Sequence, residues 1–152
     1  MIDQTLVLIK PDGVSRGLIG EVIKRFEDRG LKIVALKLVK IDMDKAKEHY
    51  TEDITKRWGG SVRNKLLEFI TEGPVTAMII EGVEAIENVR KIVGPTESKA
   101  APPGTIRGDY SHASFGYADE KNIPLKNIIH ASGNKEDAKT EVSLRFSIDE
   151  VH

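Results

Sequence analysis

Four short apolar runs, at 6–9, 31–39, 74–80 and 127–130, punctuate this chain, and the apolar residues between them fall at helical spacing. Few folds accept that alternation. Leu6-Val7-Leu8-Ile9 is uninterrupted and stops at Lys10-Pro11-Asp12-Gly13, which reads as a short buried strand followed by a turn. Leu18, Ile19, Val22, Ile23 and Phe26 share a helical face, closed by Arg29-Gly30. The run 31–39 is apolar on both of its alternating faces, which suggests a central strand. Short helices are expected over 44–50, capped by Asp42 or Asp44, and over 61–70, where Gly73-Pro74 follows. The third strand, 74–80, precedes a helix over 84–93 that Gly94-Pro95 ends. An irregular region rich in Gly, Pro, Ser and Ala runs from 95 to about 122, before the fourth strand at 127–130. Asn134 then caps a last helix to about 144, with Asp137 at the capping-box position. This order predicts an α+β fold, a ferredoxin-like βαββαβ antiparallel four-stranded sheet with surrounding helices and a long irregular loop before the last strand.

The 152 residues suit a single domain, 1–152, with no internal repeat or linker. With 23 basic and 24 acidic residues the net charge is −1, so no general nucleic-acid or membrane-surface binder is expected, and any anion must be held by a local cluster. There is no cysteine, which excludes disulfides, thiolate catalysis and cysteine-ligated metals. No signal peptide or membrane-spanning run is visible, and a cytoplasmic protein is expected.

One histidine stands out. Asn127-Ile128-Ile129-His130-Ala131-Ser132 reads as a buried strand that ends by presenting an imidazole. A lone histidine is more often a satisfied core side chain. A neutral imidazole near pH 7 is also a nucleophile able to take and release a phosphoryl group. The rest of the chain offers what such a nucleophile needs. Lys10 leaves the first strand beside a glycine turn. Arg90 lies on the helix before the glycine-proline loop, and Thr96 and Arg107 lie within that loop. Glycines flank Thr105-Ile106-Arg107, which permits close backbone approach to a ligand, and free backbone N–H groups there would add to an anion cradle. Glu141, eleven residues after His130, could accept the proton of the imidazole nitrogen that does not attack. Walker A, His-Arg-Asp and Asp-Phe-Gly signatures are absent, so any phosphoryl transfer uses a third design.

Taken together, the motifs resemble the nucleoside diphosphate kinase family. The matching segments are Leu8-Ile9-Lys10-Pro11-Asp12-Gly13-Val14, Arg16-Gly17-Leu18-Ile19-Gly20-Glu21, Glu48-His49-Tyr50, Gly73-Pro74-Val75, Pro103-Gly104-Thr105-Ile106-Arg107-Gly108-Asp109 and Asn127-Ile128-Ile129-His130, in the family's order over nearly the whole chain. The resemblance implies reversible, Mg²⁺-dependent ping-pong transfer of a γ-phosphoryl group between nucleoside tri- and diphosphates through a phosphohistidine. It implies His130 as the nucleophile at Nδ1, Glu141 as its orienting partner and Ser132 as support for Glu141. Lys10 and Asn127 would meet the ribose, with Lys10 also reaching the terminal phosphates, and Tyr50 would line the site. Arg90, Thr96 and Arg107 would bind the β- and γ-phosphates. The Mg²⁺ would be held mainly by those phosphates, with no protein ligand. A homo-oligomer is implied, a hexamer before a tetramer, with no membrane and no specific nucleic acid.

The chain also departs from the family's pattern. His130 is followed by Ala131-Ser132-Gly133 rather than Gly-Ser-Asp. The family's base-stacking phenylalanine aligns near Val62, and insertions fall at about 51–60 and 109–126. Trp58 or one of the inserted aromatics (Tyr110, His112, Phe115, Tyr117) is a candidate for the missing ring, and packing of these loops onto the body or a neighbouring subunit is the alternative. An RNA-binding or ligand-sensing module is a competing class. The first expects exposed aromatic and basic residues on the sheet, where the strands offer Leu, Val and Ile, and the second has no need of His130.

Overall fold

A computed structural model describes residues 1–152. The elements are β1 (Ile2–Ile9), α1 (Pro11–Ser15), α2 (Ile19–Asp28), β2 (Lys32–Lys40), α3 (Met43–His49), α4 (Glu52–Trp58), α5 (Gly60–Thr71), β3 (Pro74–Val83), α6 (Ala85–Val93), α7 (Ile106–Tyr110), α8 (Phe115–Glu120), β4 (Ile129–Ala131) and α9 (Lys135–Arg145). The four strands pair antiparallel in the order β2-β3-β1-β4, the expected βαββαβ arrangement. No helix is long and apolar enough to cross a membrane.

The inner strands β1 and β3 are apolar on both faces because both faces are covered. Alternate residues of β1 divide between two cores. Leu6 and Leu8 join Ala46, Leu67 and Ile70 of α3 and α5. Val7 and Ile9 join Val22 and Phe26 of α2 and Val89 of α6. Two helix caps form as the sequence suggests: Asp42 accepts from the Lys45 N–H at 2.8 Å, and Asn134 from the Asp137 N–H at 2.9 Å.

Several expectations are corrected. The run 31–39 is the edge strand β2, not a central one. It pairs only with β3, and Leu36 and Leu38 stay 51% and 61% exposed on it. Apolarity on both faces therefore reflects an uncovered flank as well as burial. The turn after β1 is the short helix α1, because Pro11 occupies the first helical position, where no N–H is needed. The insertion near 51–60 folds as α4. The region 95–122 is not irregular throughout, since α7 and α8 are each nucleated by a hydroxyl cap: Thr105 accepts from the Gly108 N–H and Ser114 from the Tyr117 N–H. Asn127 and Ile128 precede β4 and lie outside it.

Phe26 is fully buried between α2 and the sheet. Phe26→Ala is expected to lower unfolding free energy by about 3–5 kcal/mol, since loss of the ring leaves a cavity that the two-sided packing cannot collapse into. Urea titration monitored by circular dichroism measures it.

Candidate functional site

A cleft of about 1220 Å³ opens beside β4. One wall comes from α3, α4 and α5. The other comes from the end of α6, the loop after it, and the segment from α8 to His130. Lys10, Tyr50, Arg90, Thr96, Arg107, Asn127, His130 and Glu141 all line it. The structure thus brings together eight of the nine residues singled out from the sequence. The ninth, Ser132, lies just behind them, fully buried.

His130 sits opposite Leu8 in the β4–β1 register, on the face that looks toward α3 and α9. Its Nε2 is 2.9 Å from Glu141 Oε2, and the Ser132 hydroxyl donates to the same oxygen at 2.6 Å. Ser132 is itself fixed by the β1 backbone, accepting from the Leu6 N–H at 3.3 Å. Burial alone would push the Glu141 carboxyl up. The hydrogen bonds from His130 and Ser132 and the nearby imidazoles outweigh burial and bring it down to about 2, so the carboxylate is ionised. An ionised acceptor at Nε2 places the ring proton there and leaves the Nδ1 lone pair free.

The cations gather at the other end of the cleft. Lys10 is buried at the exit of β1, and its ammonium donates to Asn127 Oδ1 at 2.8 Å. Asn127 in turn donates to the Thr96 carbonyl at 2.8 Å. Burial and the Arg107 charge bring the Lys10 ammonium down to about 8. Arg107, buried and beside the exposed Arg90, is lowered to about 10 by burial and by that like charge. Three cations crowded against one another against their own electrostatic interest mark a place for an anion. The anion cradle differs from the expected one in one respect. The two glycine N–H groups that flank Arg107 are already used locally: Gly104 donates to Asp109 and Gly108 to Thr105. The close approach that Gly108 permits is to the Pro102 carbonyl of the same loop, not to a ligand. The charge of the cradle comes from side chains.

His49 belongs to the Glu48-His49-Tyr50 motif, and the sequence alone assigns it no role. Its ring stands edge-on to His130, with centroids 4.7 Å apart, and neither of its buried nitrogens has a hydrogen-bond partner. Burial and the neighbouring His130 lower it to about 3. Only its position next to Tyr50, itself buried in the cleft wall, could have signalled it. Of the candidate aromatics, Trp58 and Phe115 line the cleft, and Trp58 is 64% exposed on its rim. Tyr110 is instead engaged with Arg25 and Glu21, away from it.

The sequence profile described as nucleoside diphosphate kinase matches residues 3–151. The chain belongs to the nucleoside diphosphate kinase family. A nucleoside diphosphate kinase of Borreliella burgdorferi is 49% identical over 152 residues, which cover 99% of this chain and 91% of the relative. The fold follows a solved Borrelia burgdorferi nucleoside-diphosphate kinase, a transition-state mimic with bound vanadate and ADP, at a TM-score of 0.97 and 49% identity, covering 99% of this chain and 90% of that one. A halophilic nucleoside diphosphate kinase from Halobacterium salinarum in complex with CDP superposes at 0.84 with 39% identity, covering 100% of this chain and 92% of the other. Nucleoside diphosphate kinases are phosphotransferases, and this chain gathers eight of the residues singled out from its sequence around a single cleft.

The partly buried His49 and Glu141 give stability a defined acid dependence. Unfolded, a histidine takes up a proton near 6.5 and a glutamate near 4.5, whereas these two refuse it until about 3 and about 2. Between those values the unfolded state binds more protons, so stability rises with pH and is lost on acidification. Urea midpoints should fall as pH drops below about 6.5, and His49→Gln should flatten the limb between about 6.5 and 4.5. A His49→Gln profile parallel to the unsubstituted protein's would exclude this.

Proposed function

We propose that this chain performs its family's reaction, reversible transfer of the γ-phosphoryl group from a nucleoside triphosphate to a nucleoside diphosphate, with His130 as the transient acceptor. One observation carries the reading: a nucleophilic imidazole and a crowd of under-compensated cations share one cleft. The Nδ1 lone pair attacks the γ-phosphorus, the bond to the β–γ bridging oxygen breaks, and the diphosphate leaves with that electron pair. Positive charge that develops on the ring is met by the Glu141 carboxylate at Nε2. A terminal oxygen of the second diphosphate then attacks the phosphorus and Nδ1 departs, restoring the neutral ring. Lys10, Arg90 and Arg107 hold the migrating charge, Thr96 and Asn127 fix the phosphate and ribose ends, and Tyr50 closes the wall.

The donor set suits Mg²⁺ carried on the nucleotide. The side chains at the phosphate end are cations, an amide and a hydroxyl. The one trio of metal-type ligands, His49, His130 and Glu141, is rich in nitrogen, where Mg²⁺ asks for oxygen. The phosphate oxygens would hold the ion, which there supplies further neutralisation of their charge. Ile54, Val62 and Leu66 line the same cleft as Ile123, Pro124 and Leu125, together with Trp58 and Phe115, and we read this apolar part of it as the place of the base. Such walls are apolar and read little hydrogen-bond pattern, which suits an enzyme that serves many nucleotides. The exposed leucines of edge strand β2 support a homo-oligomer, with a hexamer the favoured form. A cytoplasmic location remains part of the proposal.

His130→Ala should abolish both the acid-labile, base-stable phosphoenzyme formed from labelled ATP and nucleotide exchange, while circular dichroism stays unchanged; retained exchange refutes the assignment. Glu141→Gln should slow phosphorylation of His130 roughly tenfold to hundredfold and weaken nucleotide binding far less. Equal losses in rapid-quench and binding titrations would make Glu141 merely structural.

A further inference from the structure

The three residues that precede and begin β4 form a strained turn. The Ile129 N–H donates to the Asn127 carbonyl at 2.9 Å, two residues back, and the residue enclosed, Ile128, has φ +74°. This is the γ-turn of the unfavourable hand. A β-branched residue in the left-handed region is an outlier that persists only where its surroundings over-determine it. The turn stands between Asn127, whose amide bonds Lys10 and Thr96, and His130.

All three carbonyls of the turn, and the Ile128 and Ile129 N–H groups, have partners. The Lys10 N–H donates to the Ile128 carbonyl at 2.7 Å. Arg107 donates from Nη2 to the Ile129 carbonyl at 2.6 Å and from Nε to the Asn127 carbonyl at 3.4 Å. The Ile128 N–H donates to a side chain, Oδ2 of Asp12, at 3.0 Å. The second Asp12 oxygen is buried with no partner at all. The catalytic scheme has no use for this carboxylate, yet it is the single side-chain acceptor on the strained peptide. The Ile128 side chain is fully buried in the second core. It packs over Gly13, where a Cβ would stand 2.9 Å from its methyl group. The turn is thus held from its side chain by packing, from its carbonyls by Lys10 and Arg107, and from its N–H by Asp12.

We infer that Asp12 is a positioning residue for phosphoryl transfer: it holds the strained Ile128 turn, so that the Asn127 amide and the His130 ring face the same phosphate. Without that acceptor the buried Ile128 N–H loses its partner, and relaxation toward negative φ rotates the peptides on either side. Asn127 and His130 hang on those peptides, and small misplacements of reacting groups are costly in rate. The alternative role for Asp12 is as a counter-charge to Lys10 and Arg107, both of which feel it. The two roles separate chemically. Asparagine keeps an acceptor oxygen and removes the charge, whereas alanine removes both.

The inference rests on His130 as the acceptor. Phosphopeptide mapping of the unsubstituted protein after labelled ATP tests that separately, since label elsewhere sinks the acceptor and says nothing against the turn. With label on His130, the rate of phosphoenzyme formation at saturating ATP is measured for Asp12→Ala and Asp12→Asn. The alanine variant should be slowed about tenfold or more, and the asparagine variant should recover most of that loss. A folded alanine variant that phosphorylates at the original rate overturns the inference, and so does an asparagine variant no faster than alanine. If the alanine variant does not fold, asparagine decides alone: near-original rates support acceptor-based positioning, and a tenfold loss overturns it.

Discussion

One buried guanidinium joins the parts from which the site is assembled. Arg107 donates to the Gly94 carbonyl at the end of α6, to the Asn127 carbonyl and to the Ile129 carbonyl at the start of β4. These carbonyls belong to two segments far apart in the chain, the end of α6 and the turn that leads into β4, and Arg107 reaches both from α7. A planar fork of donors that never loses its proton suits this role, where a flexible ammonium would not. A charge taken out of water without an ion partner is expensive, and three carbonyl dipoles compensate it only in part. In the proposed reaction the phosphates in the cleft supply the remaining compensation, so the group that ties the loops together also favours an anion there.

Burial explains the chemistry at both ends of the cleft. At one end it works against the charged state of Lys10 and Arg107, and a neighbouring guanidinium adds to each, Arg107 against Lys10 and Arg90 against Arg107. At the other it works against the Glu141 carboxylate, but two donors to a single oxygen reverse the outcome. His130 lies between a firmly ionised acid and a crowded set of cations, and its proton is thereby fixed on the side away from the phosphate.

Much of this was legible in the sequence. Period-two and period-3.6 spacing gave β1, α2, β3, α6 and α9 nearly in place, because those elements bury one face or both and their pattern records it. The polar residues of the cleft were legible for a different reason, as types that phosphoryl chemistry requires, brought into order by the motif resemblance. What failed to show was whatever depends on partners distant in the chain. Nothing in 31–39 says that one flank of β2 is left uncovered. Hydroxyl caps at Thr105 and Ser114 turned apparent loop into α7 and α8. The glycines around Arg107 indicated close approach correctly, but the approach is to the loop's own carbonyl. The left-handed Ile128 is invisible locally, since its residue type argues against that conformation and only Asp12, Lys10 and Arg107 together impose it.

The unequal burial of the cradle's cations divides its sensitivity to dissolved salt. Arg90 reaches the cleft from an exposed helix end, so mobile ions in the medium attenuate its pull over about 8–10 Å at ordinary ionic strength and over less as salt rises. Lys10 and Arg107 are buried, where screening is much weaker. In the proposed reaction, rising ionic strength loosens the outermost hold on a nucleotide more than the innermost hold, nearest β4.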